Sequence, residues 1–225
     1  MVVVGRWRPR LLAVAVAVLV VACSSDSPVP EDSQPSPMYE VTSDALCSQS
    51  AVDAMGTQLS LADVVRRTGD PVDDGNKWIT WCVMSGLWKD ERFATRLGEA
   101  GPTGGVSLEV YADVESALRR YEVTRDRRQE LVPQSPVTRV DGWWDEGWRI
   151  QWYDSVDDAS TERGGVDAEV ILVYGGIRHH NLVILVDTRG TVPGPMRDEG
   201  YEVLSDLGDL LIEEARRHVT LSTGG

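Results

Sequence analysis

Histidines are the residues of this sequence best suited to general-base or metal chemistry, and there are three of them: His179, His180 and His218. A serine hydrolase needs a histidine within reach of its nucleophile, usually at a Gly-x-Ser-x-Gly turn, and that turn does not occur here. Adjacent residues of a strand point to opposite faces, so His179 and His180 cannot easily share an ion. We therefore expect no catalytic residue, no metal site and no cofactor.

The carboxylates offer two further candidates. An acidic stretch contains Asp154, Asp157, Asp158 and Glu162. A calcium loop needs alternating Asp or Asn ligands with a Gly turn, and that register is missing, so we expect a solvated loop. A hydrolase acting through a carboxylate pair, such as Asp145 and Glu146, would need one pKa raised in a cleft. A cell-envelope hydrolase is kept only as an alternative.

Tryptophan is the most suggestive residue type. Seven of the eight lie beyond residue 70: Trp78, Trp81, Trp88, Trp143, Trp144, Trp148 and Trp152. Exposed tryptophans dominate binding sites, whereas buried ones build a core, and this chain has a single Phe to share that task. Because one of the consecutive Trp143 and Trp144 must face outward in an extended segment, we take Trp143, Trp144 and Trp148 as candidate ligand-binding residues.

The N-terminus has the three layers of an export signal. Basic Arg6, Arg8 and Arg10 precede the apolar run of residues 11–21, and Ala22 follows just before Cys23. A membrane-spanning helix is the alternative, but it needs about 20 apolar residues and this run is shorter. We expect a signal peptide over residues 1–22.

The end of that run, Val20-Val21-Ala22-Cys23, resembles the lipobox of bacterial lipoproteins. The resemblance implies cleavage before Cys23, a diacylglyceryl group on its sulfur, and a location at the extracytoplasmic face of the cell membrane. Two acyl chains anchor a protein stably where one does not.

Cys47 and Cys82 then remain as an even pair in an oxidising compartment, which predicts a disulfide. The alternative is a reactive thiol, which would need an environment that lowers its pKa.

The chain is acidic overall. With 22 basic and 36 acidic residues the formal net charge is −14, and losing the three arginines of the signal peptide makes it −17. Nucleic acid and anionic lipid headgroups are therefore poor partners overall, because both are bound through neutralisation by Lys and Arg. The charge itself is explained by solubility.

Residues 24–40 are rich in Ser, Pro and acids and predict a disordered tether. A single domain is expected over residues 41–220 and a flexible tail over 221–225. Helices are predicted at a segment capped by Ser43 or Asp44 and carrying Cys47, at 59–67, at 113–131 and at 198–219. Strands are predicted at 78–84, 106–111, 137–140 and 148–153, followed by a hairpin of 169–174 with 182–187.

This order predicts an α+β fold with an antiparallel β-sheet and helices packed against it. On the helix at 113–131, one face is basic, with Arg119, Arg120, Arg125, Arg127 and Arg128. An acidic partner is one explanation, and a solvated face balanced by nearby Glu and Asp is the other and the one we expect.

The layout of Cys23, the tether, Cys47 in a first helix and Cys82 in a first strand resembles a group of small actinobacterial secreted lipoproteins of unknown function. That resemblance implies a PsbP-like domain, an antiparallel sheet sandwiched by helices, and supplies no catalytic residues.

The leading functional hypothesis is a lipid-anchored envelope protein that presents a non-catalytic binding or interaction domain to an envelope protein. The second is a module that shelters or delivers a small apolar or sugar ligand over the Trp cluster. The sequence leaves the oligomeric state open.

Overall fold

The computed structural model describes residues 38–42, 46–93, 101–156 and 168–222. Cys23, most of the predicted tether, the predicted caps Ser43 and Asp44, and the acidic residues 157–162 lie outside these ranges. The helices are α1 (Gln49–Gln58), α2 (Val114–Leu131) and α3 (Arg197–Arg216). The strands are β1 (Met38–Val41), β2 (Leu61–Thr68), β3 (Val72–Asp73), β4 (Lys77–Trp88), β5 (Thr103–Tyr111), β6 (Val137–Arg139), β7 (Glu146–Val156), β8 (Ala168–His179), β9 (Leu182–Pro193) and β10 (Val219–Ser222).

The main sheet has eight strands in the order β2-β4-β5-β9-β8-β7-β6, with β3 beside β4. Every pairing in it is antiparallel. β1 and β10 form a separate two-stranded antiparallel ribbon. The predicted α+β class, an antiparallel sheet with helices packed against it, is confirmed.

One face of the sheet packs against α3, and we call it the α3 face. A Cβ on Gly104 of β5 would come within 2.8 Å of Leu207 and Leu211, so glycine lets the helix approach closely. Thr188 of β9 donates a hydrogen bond of 2.9 Å to the Leu204 carbonyl of α3. The larger core cluster lies on this face, together with α1.

The other face packs against α2, and we call it the α2 face. Asp113 caps this helix, its side chain accepting a hydrogen bond of 2.7 Å from the Ser116 amide, as the sequence predicts. α2 buries only Ala117 and Tyr121, which pack on Trp148, Ile150 and Val183. The other residues of the helix are partly or fully exposed.

The predicted disulfide is present and joins Cys47 to Cys82 of β4, with the Cα atoms 6.1 Å apart. Cys47 immediately precedes Ser48, the residue that caps α1, so the predictions that Ser43 or Asp44 caps the first helix and that Cys47 lies within it are wrong. The bridge therefore ties the start of the first helix to the sheet.

The helix predicted over residues 59–67 is wrong, because residues 61–68 form β2 at the edge of the sheet. The register shifts between Ala62 and Val65, where Asp63 has φ 48°, so the strand contains a bulge that hides the alternation of a regular strand. Pairing with β4 outweighs the local helix preference.

Both predicted ends of the domain are also displaced. β1 begins at Met38, inside the predicted tether, and β10 extends through Ser222, inside the predicted tail. The final helix ends at Arg216 because Val219 begins the strand that pairs with Val41. Strands of four residues are too short to show a period of their own.

Among the described residues, no helix is both long enough and apolar enough to cross a membrane.

Candidate functional site

A groove of about 530 Å³ lies between α2 and the α2 face of the sheet. Its helix wall is formed by Arg120, Val123, Thr124, Arg127, Arg128 and Leu131. Its sheet side includes Trp81, Val83, Ser107, Trp148, Leu185 and Asp187. The helix residues recur at spacings of three and four, which places them along one stripe of α2.

The strand register puts the sheet residues of the groove on one face. Trp81 of β4 is opposite Ser107 of β5, which is opposite Leu185 of β9. Trp81 is 42% exposed although it stands on an interior strand of the sheet. A large aromatic surface is therefore available beside the helix.

Arg120 is fixed at the helix wall by a buried carboxylate. Its Nε and Nη2 donate hydrogen bonds of 2.9 Å each to Glu109 of β5, whose side chain is 2% exposed. Tyr111 donates a further hydrogen bond of 2.6 Å to the same carboxylate, and Ser107 donates one of 3.2 Å. Arg120 is still 43% exposed, but its partner is the buried Glu109 of the sheet and not one of the neighbouring acids that the sequence suggests.

Arg127 and Arg128 differ in how they are held. The Arg128 guanidinium lies 4.3 Å from the centre of the Tyr174 ring and 3.9 Å from the Asp187 carboxylate. Partial desolvation beside the sheet raises the pKa of Asp187, although its side chain is still 57% exposed, while Arg128 and Arg189 lower that pKa by less. Arg127 is exposed and, within the described residues, has no carboxylate within 4.0 Å.

Two polar atoms of lining residues are unsatisfied. Trp148 is 3% exposed, and its Nε1–H has no hydrogen-bond partner among the residues described. The buried Thr124 hydroxyl also has no hydrogen-bond partner among the residues described. A buried donor without an acceptor is unfavourable, but both atoms are shielded from solvent and so do not face the open groove.

The three candidate tryptophans do not form one cluster. Trp148 lies under α2, whereas Trp143 and Trp144 pack against the core cluster of the α3 face. Trp144 donates a hydrogen bond of 2.8 Å to the Val140 carbonyl, and Trp143 lies half-buried beneath Arg216, whose guanidinium is 4.5 Å from its ring centre. Of the three, only Trp148 lines the groove.

His179 belongs to a second polar group near Trp143. Its Nδ1 is 2.7 Å from the Tyr39 hydroxyl, and its Nε2 is 3.6 Å from Asp145. Burial lowers the pKa of His179, and Asp145 opposes that effect. His180 follows in the turn with φ 51°, and its ring centre is 4.4 Å from that of His179.

The remaining acid and base candidates are engaged elsewhere. Asp145 and Glu146 both contact the guanidinium of Arg178, at 3.2 and 3.4 Å. His218 lies 3.4 Å from Glu214. Within the described part of the chain, no group of three His, Cys, Asp or Glu side chains is arranged to hold a metal ion.

Sequence reasoning missed the groove because it treated Trp81 as one strand residue among several and the arginines as a solvated face. A signal was present: arginines alternate with Val123, Thr124 and Leu131 at helical spacing, which is typical of a stripe that meets both apolar surface and charge.

Comparison with known proteins gives no family: no protein-family model matches the chain, and no curated protein matches it. Two solved structures from Mycobacterium tuberculosis show a distant likeness. The extracellular domain of PknH aligns at 6% identity and a TM-score of 0.33, over 78% of this chain and 100% of that one. LpqN, described as involved in cell envelope biogenesis, aligns at 13% identity and a TM-score of 0.32, over 71% of this chain and 92% of that one. Neither likeness is close enough to assign a fold family, a ligand or an activity.

Proposed function

We propose that this protein is a lipid-anchored lipoprotein of the extracytoplasmic face of the cell membrane, whose domain shelters a small ligand without catalysing a reaction. The groove between α2 and the sheet carries the proposal. It combines a volume of about 530 Å³ with exposed aromatic surface on Trp81 and a helix wall that carries Arg120, Arg127 and Arg128.

The anchor is proposed from the sequence alone, from the apolar run and Cys23. Mass spectrometry of the protein purified from membranes tests it: the first residue should be Cys23 carrying a diacylglyceryl group. Cys23→Ser should release the protein from the membrane. An unmodified Cys23 in the membrane fraction would overturn the localisation.

A PsbP-like arrangement is also part of the proposal, because helices lie on both faces of the antiparallel sheet.

Ligand sheltering is tested by tryptophan fluorescence. Aqueous and organic-solvent extracts of the cell envelope are titrated into the exported Cys23→Ser protein, which carries no lipid of its own. We expect emission to change, and the change to be reduced in Trp81→Leu. The matched control is Trp143→Phe, which lies outside the groove and should keep the response. Unchanged emission with both extracts would refute sheltering.

The absence of catalysis is supported by where the histidines lie, since none of them lines the groove. Turnover of purified cell-wall glycan or peptide by the same protein would contradict this part of the proposal.

A second candidate function is recognition of an envelope protein at the surface formed by Trp143 and Arg216. Trp and Arg are enriched in binding hot spots, and here the half-buried Trp143 ring lies beneath the exposed guanidinium of Arg216. Crosslinking in intact cells should then give an adduct that is lost in Trp143→Ala and retained in Trp81→Leu. Loss in both variants, or in neither, would reject this surface.

A further inference from the structure

The groove is basic in a protein that is strongly acidic. The formal net charge of the chain is −14, yet the helix wall of the groove contributes Arg120, Arg127 and Arg128. A local charge of opposite sign to the whole determines what reaches a partly enclosed site more than the net charge does. The expectation that anionic headgroups are poor partners, which rests on net charge, therefore does not extend to this groove.

The charges of the groove are unequally neutralised. Glu109 takes two hydrogen bonds from Arg120 and so balances it. Asp187 faces Arg128 only at 3.9 Å, and the Asp187 side chain is 57% exposed, so this ion pair is weak. Arg127 has no carboxylate within 4.0 Å among the described residues. The excess positive charge is therefore centred on neighbouring positions 127 and 128.

Apolar surface lies beside these arginines. Val123 is 57% exposed and Leu131 is 61% exposed, one turn before and one turn after Arg127 on α2. Trp81 adds an exposed ring from the sheet. Each of the three residues lines the groove. A ligand that fits must cover apolar side chains and place a negative charge close to them.

We propose that the groove binds an anionic amphiphile, an acyl chain with a negatively charged headgroup, the chain covering Trp81, Val123 and Leu131 and the headgroup bound by Arg127 and Arg128. This inference rests on the proposed sheltering function and names its ligand class. Arg128 is held in place by Tyr174, so its guanidinium is ordered before the ligand arrives.

The test uses three probes of equal chain length, each kept below its critical micelle concentration: dodecyl phosphate, dodecyl maltoside and dodecyltrimethylammonium. Binding to the exported Cys23→Ser protein is measured by calorimetry and by tryptophan fluorescence. Dodecyl phosphate should bind at least about tenfold more tightly than either other probe, as expected for a charge-assisted contact. Arg127→Gln should remove most of that preference and leave maltoside binding unchanged.

Arg119→Gln is the matched control, since Arg119 is an exposed arginine of the same helix that pairs with Glu115 and does not line the groove. The affinity of this variant for dodecyl phosphate should stay within about twofold of that of the parent protein. Equal affinity for all three probes would overturn the anionic class and leave sheltering intact. No binding of any probe, with the fold verified by circular dichroism, would overturn both. Equal losses in Arg127→Gln and Arg119→Gln would show a nonspecific charge effect and overturn the assigned headgroup site.

Discussion

Arg120 of α2 and Glu109 of β5 are joined by two hydrogen bonds of 2.9 Å, and this contact attaches the helix to the sheet at one wall of the groove. Glu109 is 1% exposed, whereas the Arg120 side chain is 43% exposed. The acid is therefore the member of the pair that depends on its partner for solvation.

Replacing Arg120 should destabilise the domain. Arg120→Met keeps the aliphatic stem but leaves the buried Glu109 carboxylate with only Tyr111 and Ser107 as donors. We expect the free energy of unfolding to fall by about 2 kcal/mol, less than for a fully buried pair because water reaches Arg120. Urea denaturation measures it. Arg119→Met, which breaks an exposed i,i+4 pair, should cost about 0.5 kcal/mol or less; equal effects would show that Glu109 does not need this partner.

Removing the disulfide should have a larger effect. Cys47 and Cys82 are 35 residues apart in sequence. Closing a loop of that length lowers the entropy of the unfolded chain, which stabilises the folded state by about 4 kcal/mol. Cys47→Ala with Cys82→Ala should therefore shift the urea midpoint strongly downward. Cys23→Ser is the control and should leave the midpoint where it is. A double variant with an unchanged midpoint would contradict a stabilising role for the bridge.

The pKa of His179 should respond in opposite directions to the removal of Asp145 and of Arg216, two of the charged groups around it. Burial holds it below 6.5, Asp145 raises it, and Arg216 lowers it. Asp145→Asn should therefore lower the pKa of His179 further, and Arg216→Gln should raise it. Both are read from the imidazole resonances in an NMR titration. Asp141→Asn, in the same loop but outside these contacts, should leave the titration unchanged. Shifts of the same sign in the first two variants would exclude this electrostatic account.

Asp187→Asn should stabilise the protein more as the pH rises. Because the folded-state pKa of Asp187 is raised above 3.8, the folded protein binds this proton more tightly than the unfolded chain does. The stability that the protonated carboxyl supplies is fully present below the unfolded-state pKa of 3.8, and it is lost as the pH rises through the higher folded-state pKa. The free energy of unfolding of Asp187→Asn should thus rise relative to that of the parent protein between about pH 3 and about pH 7.

Urea titrations at several pH values measure this difference. Asp126→Asn, on the exposed side of α2, serves as the control and should show no such trend. A constant difference across the range for Asp187→Asn would mean that burial does not penalise its charge. The same variant should bind dodecyl phosphate more tightly, because it removes a negative charge from the groove.

The features predictable from sequence were those with a strong local pattern. α2 follows from its Asp113 cap and the spacing of Ala117 and Tyr121, and the disulfide follows from an even cysteine pair. β2 was mistaken for a helix because the bulge at Asp63 interrupts its alternation. β1 and β10 were missed because each is stabilised by the other, about 180 residues away in the chain, and not by its own sequence.

The groove could be anticipated only in part. Trp148 was singled out, but its separation from Trp143 depends on which face of the sheet each segment meets, and that is decided by long-range pairing. Arg120 was assigned to a solvated face because nothing in its local sequence reveals that Glu109 lies beneath it. The binding stripe on α2 emerges only when a sheet is placed against it.

The β1–β10 ribbon brings Met38 opposite Ser222, so the first and last described residues are neighbours. A short linker could therefore join these two positions. A chain permuted in this way, with new ends in a surface loop, would retain every strand pairing. Attachment at the N-terminal or at the C-terminal side would hold the domain by the same edge.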